Sequence, residues 1–195
     1  MWPTLPGRAT AQADIYWLSQ IAWLTRCLHI ATELRVADHL VQGAKSIDEL
    51  ARLVEADESY LYRVLRLLAA FEIFAINEQR QVSLTPRADC LRGDSPQSLR
   101  DWILHGAQVE WELASALPRA VKAGRPADQI LWNQGYWDFL KDHPALQSQF
   151  IAGMDRWNDA HVRELLLAFD FTSYRRVVDV GGGRGALIIG ILQHH

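Results

Sequence analysis

The feature that most constrains this chain is the stretch VVDVGGGRGALIIGILQHH, residues 177–195. Val177, Val178 and Val180 are β-branched and interrupted only by Asp179, the pattern of a buried parallel strand. Gly181, Gly182, Gly183 and Gly185 follow at once, and Ala186 to Leu192 continue as an apolar helix. Glycines placed there admit positive φ in a tight turn and let bare backbone approach a ligand, while the helix start offers amide N–H groups to an acceptor.

The rest of the chain reads differently. From Ala11 to Leu40 apolar residues recur at helical spacing on more than one face, Ile15, Leu18 and Ala22 beside Trp17, Ile21 and Leu24. A helix apolar on two faces packs on its own domain with one and on a second chain with the other, a first pointer to a dimer. Ser46 and Glu49 form an S-x-x-E capping box, so a helix starts at Ser46. Leu61, Val64, Leu65, Leu68 and Phe71 define a second helix at spacings of three and four. Phe74 and Ile76 before a polar turn, with Val82 and Leu84 after it, have the alternation of a β-hairpin. Helix, helix and hairpin read together as a winged helix. Pro86 and the run from Arg92 to Pro96 mark a boundary. Helical pattern then resumes over 97–117, 136–142 and 145–168, broken by Pro118, Gly124, Pro126, Gly135 and Pro144.

Composition excludes several classes of function. The 195 residues carry a net charge of −3, and between Ser46 and Arg92 eight acidic residues face six arginines. A winged helix that entered DNA would need cations to neutralise phosphates, so its use here is structural and no nucleic-acid partner is expected. The apolar stretch Ile15–Thr25 is too short to span a bilayer and MWPTLPGRAT lacks the layout of a secretory signal, so neither a membrane partner nor export is expected. Two distant cysteines, Cys27 and Cys90, fit a cytoplasmic protein with reduced thiols. No H-E-x-x-H or comparable spacing suggests a metal.

Two cofactor patterns fit the glycine stretch. Gly181, Gly183 and Ala186 satisfy the dinucleotide pattern G-x-G-x-x-G/A, whereas Asp179, Gly181, Gly183 and Gly185 satisfy D-x-G-x-G-x-G. Asp179 favours the second. A carboxylate at the strand end repels a pyrophosphate but pairs with a cationic ligand, such as the amino-acid end of S-adenosylmethionine. The plain alternative is a glycine turn with no ligand.

The runs LHIATELRVADHL (28–40), SIDELARLVEADESYLYRVLRLLAAFEIF (46–74), VSLTPRADCLRGDSPQSLRDW (82–102), FLKDHPALQSQFIAGM (139–154) and FDFTSYRRVVDVGGGRGAL (169–187) occur in one order. In that order they resemble the bacterial and plant-type small-molecule O-methyltransferases. The resemblance implies a mainly α chain with a small β-hairpin: a winged-helix dimerisation domain (1–92), a helical linker lining the substrate (93–172), and the first β-α unit of a Rossmann-like methyltransferase domain (173–195). It implies a homodimer through the N-terminal domain and methyl transfer from S-adenosylmethionine to a hydroxyl of a small aromatic acceptor.

By matching position, Asp179, Gly181, Gly182 and Gly183 would hold the cofactor, and Asn158 falls where the family often has a serine near the cofactor carboxylate. Phe150 and Met154 match positions that wall the acceptor pocket, although ordinary packing of an amphipathic helix fits them equally. The stretch Trp132–Trp137 either borders that pocket or packs the linker. Glu72 stands where the family usually has glycine before its hairpin.

The family's histidine base lies beyond the glycine motif, so no residue up to His195 is assigned to catalysis. One strand and one helix also lack the second strand's acidic residue and the adenine pocket of such a domain. The sequence therefore reads as the first part of a methyltransferase, for which neither cofactor binding nor catalysis is expected of this chain alone. Residues 177–192 are expected to be disordered, or to pack on the linker or a partner chain. A non-catalytic dimerisation scaffold is the alternative function, and a winged-helix regulator the third.

Overall fold

The computed structural model describes residues 10–194, apart from the side chains of residues 159 and 160; the stretch 1–9, read above for an export signal, and His195 lie outside them. The chain divides into two compact units between Asp89 and Cys90.

In the N-terminal unit, α1 (Ala11–Glu33) begins at Thr10, whose hydroxyl accepts from the Ala13 amide at 3.2 Å. The apolar spacing predicts helix through Leu40, but Arg35 takes a left-handed φ of 57° and a separate α2 (Val36–His39) follows. The break turns Val36, Ala37 and Leu40 inward, where they are buried along with Ala31. On α1, Ile15, Tyr16, Trp17, Leu18 and Trp23 remain exposed.

A short strand β1 (Lys45–Ser46) leads into α3 (Ile47–Leu53). Ser46 Oγ accepts from the Glu49 amide at 3.4 Å, while the Glu49 carboxylate pairs with Lys45 instead of returning to Ser46, so half of the predicted capping box forms. Asp57 caps α4 (Glu58–Ala70) by accepting from the Tyr60 amide at 3.0 Å, and α4 buries Leu61, Leu65 and Leu68. It stops at Glu72, left-handed at φ 58°, with the Ile73 amide bonded to the Leu68 carbonyl at 3.0 Å and the Glu72 amide to that of Ala69 at 2.9 Å. These are the two bonds of a Schellman stop, where glycine is the residue that bears no steric penalty.

Strands β2 (Phe74–Ile76) and β3 (Gln81–Leu84) pair antiparallel with Ala75 opposite Ser83. Strand β1 joins the far edge of β3, giving the order β1-β3-β2, one strand more than the predicted hairpin. Phe74 and Val82 point inward at 1% and 0% exposure. Burial of each such side chain contributes on the order of 2 kcal/mol. A single turn, α5 (Pro86–Asp89), closes the unit.

In the C-terminal unit, α6 (Arg100–His105), a π turn (Gly106–Glu110) and α7 (Trp111–Ala123) run without a break. Pro118 lies inside α7, correcting the expectation that it ends a helix. Proline costs that helix one hydrogen bond at Ala114 and a local clash, and the buried inner face of Ala116 and Ala120 holds the segment helical. Gly124, left-handed at φ 60°, ends it. Two short helices, α8 (Ala127–Leu131) and α9 (Tyr136–Asp142), precede α10 (Pro144–Ala168). Helix α10 crosses α6 so closely that a Cβ on Gly153 would lie 2.9 Å from the backbone N of Trp102.

The run 177–180 does not form the expected strand. A strand needs a ladder partner, and among the described residues of this unit there is no second strand to supply one. Val178 and Val180 are 74% and 92% exposed. Of the outcomes anticipated for 177–192, packing on the linker is the one observed for α11 (Ala186–His194). It lies against α10 with Gly190 at the seam, where a Cβ would come within 2.6 Å of Val162 Cγ1.

Candidate functional site

Helix α10 presents one long face at spacings of three and four: Phe150, Met154, Asn158, His161 and Leu165 all border a single cavity of about 580 Å3. Trp137 and Leu140 of α9 close one side, and the glycine turn closes another with Asp179, Gly181, Gly182 and Gly183. Every residue nominated from the sequence for the cofactor or the acceptor therefore lies on the wall of this one cavity.

The turn is shaped by different demands at its glycines. Gly181 and Gly183 have φ of 75° and 56°, and a Cβ on either would meet no atom within 4 Å, so their exposed faces open on empty space. Gly182 is small for another reason: a Cβ there would overlap the Asp179 carboxylate. The Gly185 amide closes the turn on the Gly182 carbonyl at 2.8 Å. Asp179 Oδ2 is buried and accepts no hydrogen bond among the described residues. An acceptor left that way favours a donor or cation brought by a ligand.

These features fit S-adenosylmethionine. The carboxylate would take its amino-acid end, and the glycine backbone would accept its approach without side-chain hindrance.

Several wall residues escape a reading of the sequence. Asp155 and Arg184 pair across the cavity rim, Oδ2 to Nη1 at 3.0 Å, tying the glycine turn to α10. His161 borders the cavity with its Nδ1 2.8 Å from the Trp157 carbonyl. The helical face of α10, read onward from Asn158, is the signal that leads to His161; nothing local leads to the Asp155–Arg184 pair. The stretch Trp132–Trp137 divides between its two readings. Trp137 borders the cavity, whereas Trp132 stacks on Phe139 with ring centroids 3.7 Å apart and packs the linker.

Behind the wall sits a polar pair. His105, fully buried at the end of α6, lies with Nε2 2.6 Å from the hydroxyl of Tyr136 at the start of α9. Burial holds the imidazole below its usual range, with the backbone of Leu146 acting weakly the other way. Burial, helped by the charge of Glu110, pushes the Tyr136 phenol up to about 12. Both groups are therefore neutral near pH 7.

Two family models and several known proteins match the chain. Residues 17–94 match the family model of the O-methyltransferase dimerisation domain, and residues 114–195 that of the O-methyltransferase domain. The phenazine O-methyltransferase PhzM of Lysobacter antibioticus is 31% identical over 172 residues, which cover 88% of this chain and 50% of that protein. The phenazine-1-carboxylate N-methyltransferase of Pseudomonas aeruginosa is 33% identical over 171 residues, again 88% of this chain and 50% of the relative. The crystal structure of CalO1, a methyltransferase in calicheamicin biosynthesis in its SAH-bound form, superposes with a TM-score of 0.80 at 29% identity, covering 97% of this chain and 57% of that one. The chain spans about half the length of the curated relatives it matches. From the two domain matches and these relatives, the chain belongs to the O-methyltransferase family and carries sequence of both its dimerisation and its methyltransferase domains.

Proposed function

We propose that the whole protein is a homodimeric methyltransferase that moves a methyl group from S-adenosylmethionine to a hydroxyl of a small planar aromatic molecule. The observation that carries this reading is the one cavity shared by Asp179, the glycine turn, Phe150 and Met154. When bound, S-adenosylmethionine supplies an electrophilic methyl group on a sulfonium sulfur. Asp179 and the backbone of Gly181–Gly183 would hold the amino-acid and ribose end of this cofactor, and Asn158 would bind its carboxylate. Phe150, Met154 and Trp137 exclude water and orient the acceptor ring, which lowers the barrier by positioning. The acceptor hydroxyl gives its proton to a base that we do not assign to any histidine of this chain.

The exposed apolar face of α1, with Trp17 and Trp23, supports pairing of two copies through a winged-helix N-terminal domain. A nitrogen acceptor is the second reading, favoured by the likeness to an N-methyltransferase. Calorimetry of SAH with the whole protein tests the cofactor assignment. A heat with Kd of about micromolar that weakens at least tenfold in Asp179→Ala and Gly182→Ala supports it. No heat in the unaltered whole protein turns the assignment toward a dimerisation scaffold.

A further inference from the structure

Trp137 and Phe150 form the aromatic side of the cavity, yet neither holds itself in place. Phe150 packs edge-on to Trp137 at 5.6 Å and to Tyr136 at 6.0 Å, and lies 5.2 Å from the His105 ring. Tyr136 in turn meets Trp137 edge-on at 5.2 Å. All four rings thus meet at the short His105–Tyr136 hydrogen bond, which joins the end of α6 to the start of α9 while Phe150 reaches in from α10. The Tyr136 amide is pinned as well, donating to Asp128 at 2.8 Å.

We propose that His105 and Tyr136 are a positioning pair for the acceptor: their hydrogen bond fixes the angle between the Trp137 and Phe150 rings and so sets which planar ring systems the cavity accepts. This rests on the acceptor-pocket reading above. Burial opposes charge on either partner, so the bond joins a neutral imidazole to a neutral phenol. Neither residue borders the cavity, so each acts through the aromatic rings. The pair adjoins the π turn at Gly106, the one place in the long helix from Arg100 to Ala123 where backbone spacing widens. A ring wall held by a directional bond orients a flat ligand more sharply than one held by packing, since dispersion contacts tolerate rotation and a hydrogen bond does not.

The test is binding of phenazine, a planar three-ring probe, to the full chain, read by tryptophan fluorescence, with urea midpoints recorded beside it. Tyr136→Phe keeps the ring and removes only the hydroxyl; His105→Leu removes its partner; His105→Gln returns an amide that can donate or accept at similar reach. The expected result is a loss of about tenfold in phenazine affinity for the first two, the size of one neutral hydrogen bond, with most of it recovered in His105→Gln. Ala116→Gly, which weakens α7 outside the pair, keeps phenazine affinity while its urea midpoint falls. If Tyr136→Phe binds phenazine as tightly as the unaltered chain, or if Ala116→Gly loses affinity in step with its midpoint, the pair does not position the wall. If the unaltered chain itself fails to bind phenazine, the acceptor-pocket reading fails instead.

Discussion

The hairpin at 74–84 and the run at 177–180 have similar local sequence, β-branched and aromatic residues with one polar interruption or alternation, yet the structure treats them in opposite ways. Phe74 and Val82 are almost fully buried in a paired ladder, while Val178 and Val180 are exposed, with no partner strand among the described residues. A β-branched run is a capacity for pairing, and the strand exists only where another segment completes its hydrogen bonds. The helix after the glycine turn behaves differently because its backbone bonds are internal. Helix α11 forms and needs only one apolar face of α10 to lie against.

Four measurements break or sharpen that contrast. The largest difference is between matched truncations: Phe74→Ala is expected to cost about 3–5 kcal/mol, whereas Val180→Ala changes stability by less than about 0.5 kcal/mol. Urea unfolding of both variants checks it, and a large loss at Val180 would mean that the run has a hidden partner. Next comes Gly190→Ala, where the new methyl group meets Val162 and Leu166 of α10. Overpacking of about 1–3 kcal/mol is expected to release α11, seen as faster amide exchange over 186–194 with α4 unchanged.

The third measurement is pH. Because burial lowers the native value of His105, the unfolded chain takes up a proton near 6.5 that the folded chain refuses. Stability is therefore full above that pH and falls as the solution is acidified through the native value, by at most about 1.4 kcal/mol per pH unit for one proton. His29, also lowered mainly by burial, adds a loss of the same sign, so His105→Gln is expected to flatten the slope without abolishing it. The smallest effect is Glu72→Gly, expected to stabilise the hairpin side by about 0.5–1 kcal/mol because the left-handed site then carries no Cβ strain. The carboxylate lost with it makes only an exposed 3.5 Å contact with Arg87.

What the residues reveal in advance follows the same division between local and long-range causes. The cap at Ser46 and the burial stripe of α4 follow from spacing, because a helix repeats its own geometry, whereas Phe150, Met154 and Asn158 on α10 come from the family resemblance. The strand at 177–180 is misread because pairing is a property of two segments. Pro118 is misread because one lost bond is small against a buried face. The Asp155–Arg184 pair and the meeting of His105 with Tyr136 join residues about thirty positions apart, so no window of sequence holds both partners. Glu72 shows the converse. Its sequence position flags an unusual turn, and the backbone adopts the glycine conformation regardless.

The seam between Gly153 and Trp102 gives α10 a fixed rail and a free edge. On the rail a single added methyl group forces two helices apart. On the free edge, Met154 and Asn158 border the cavity and can be exchanged for larger or smaller side chains, whereas Phe150 is held among His105, Tyr136 and Trp137. A library built on that edge would alter which guests are admitted without paying for each change in folding.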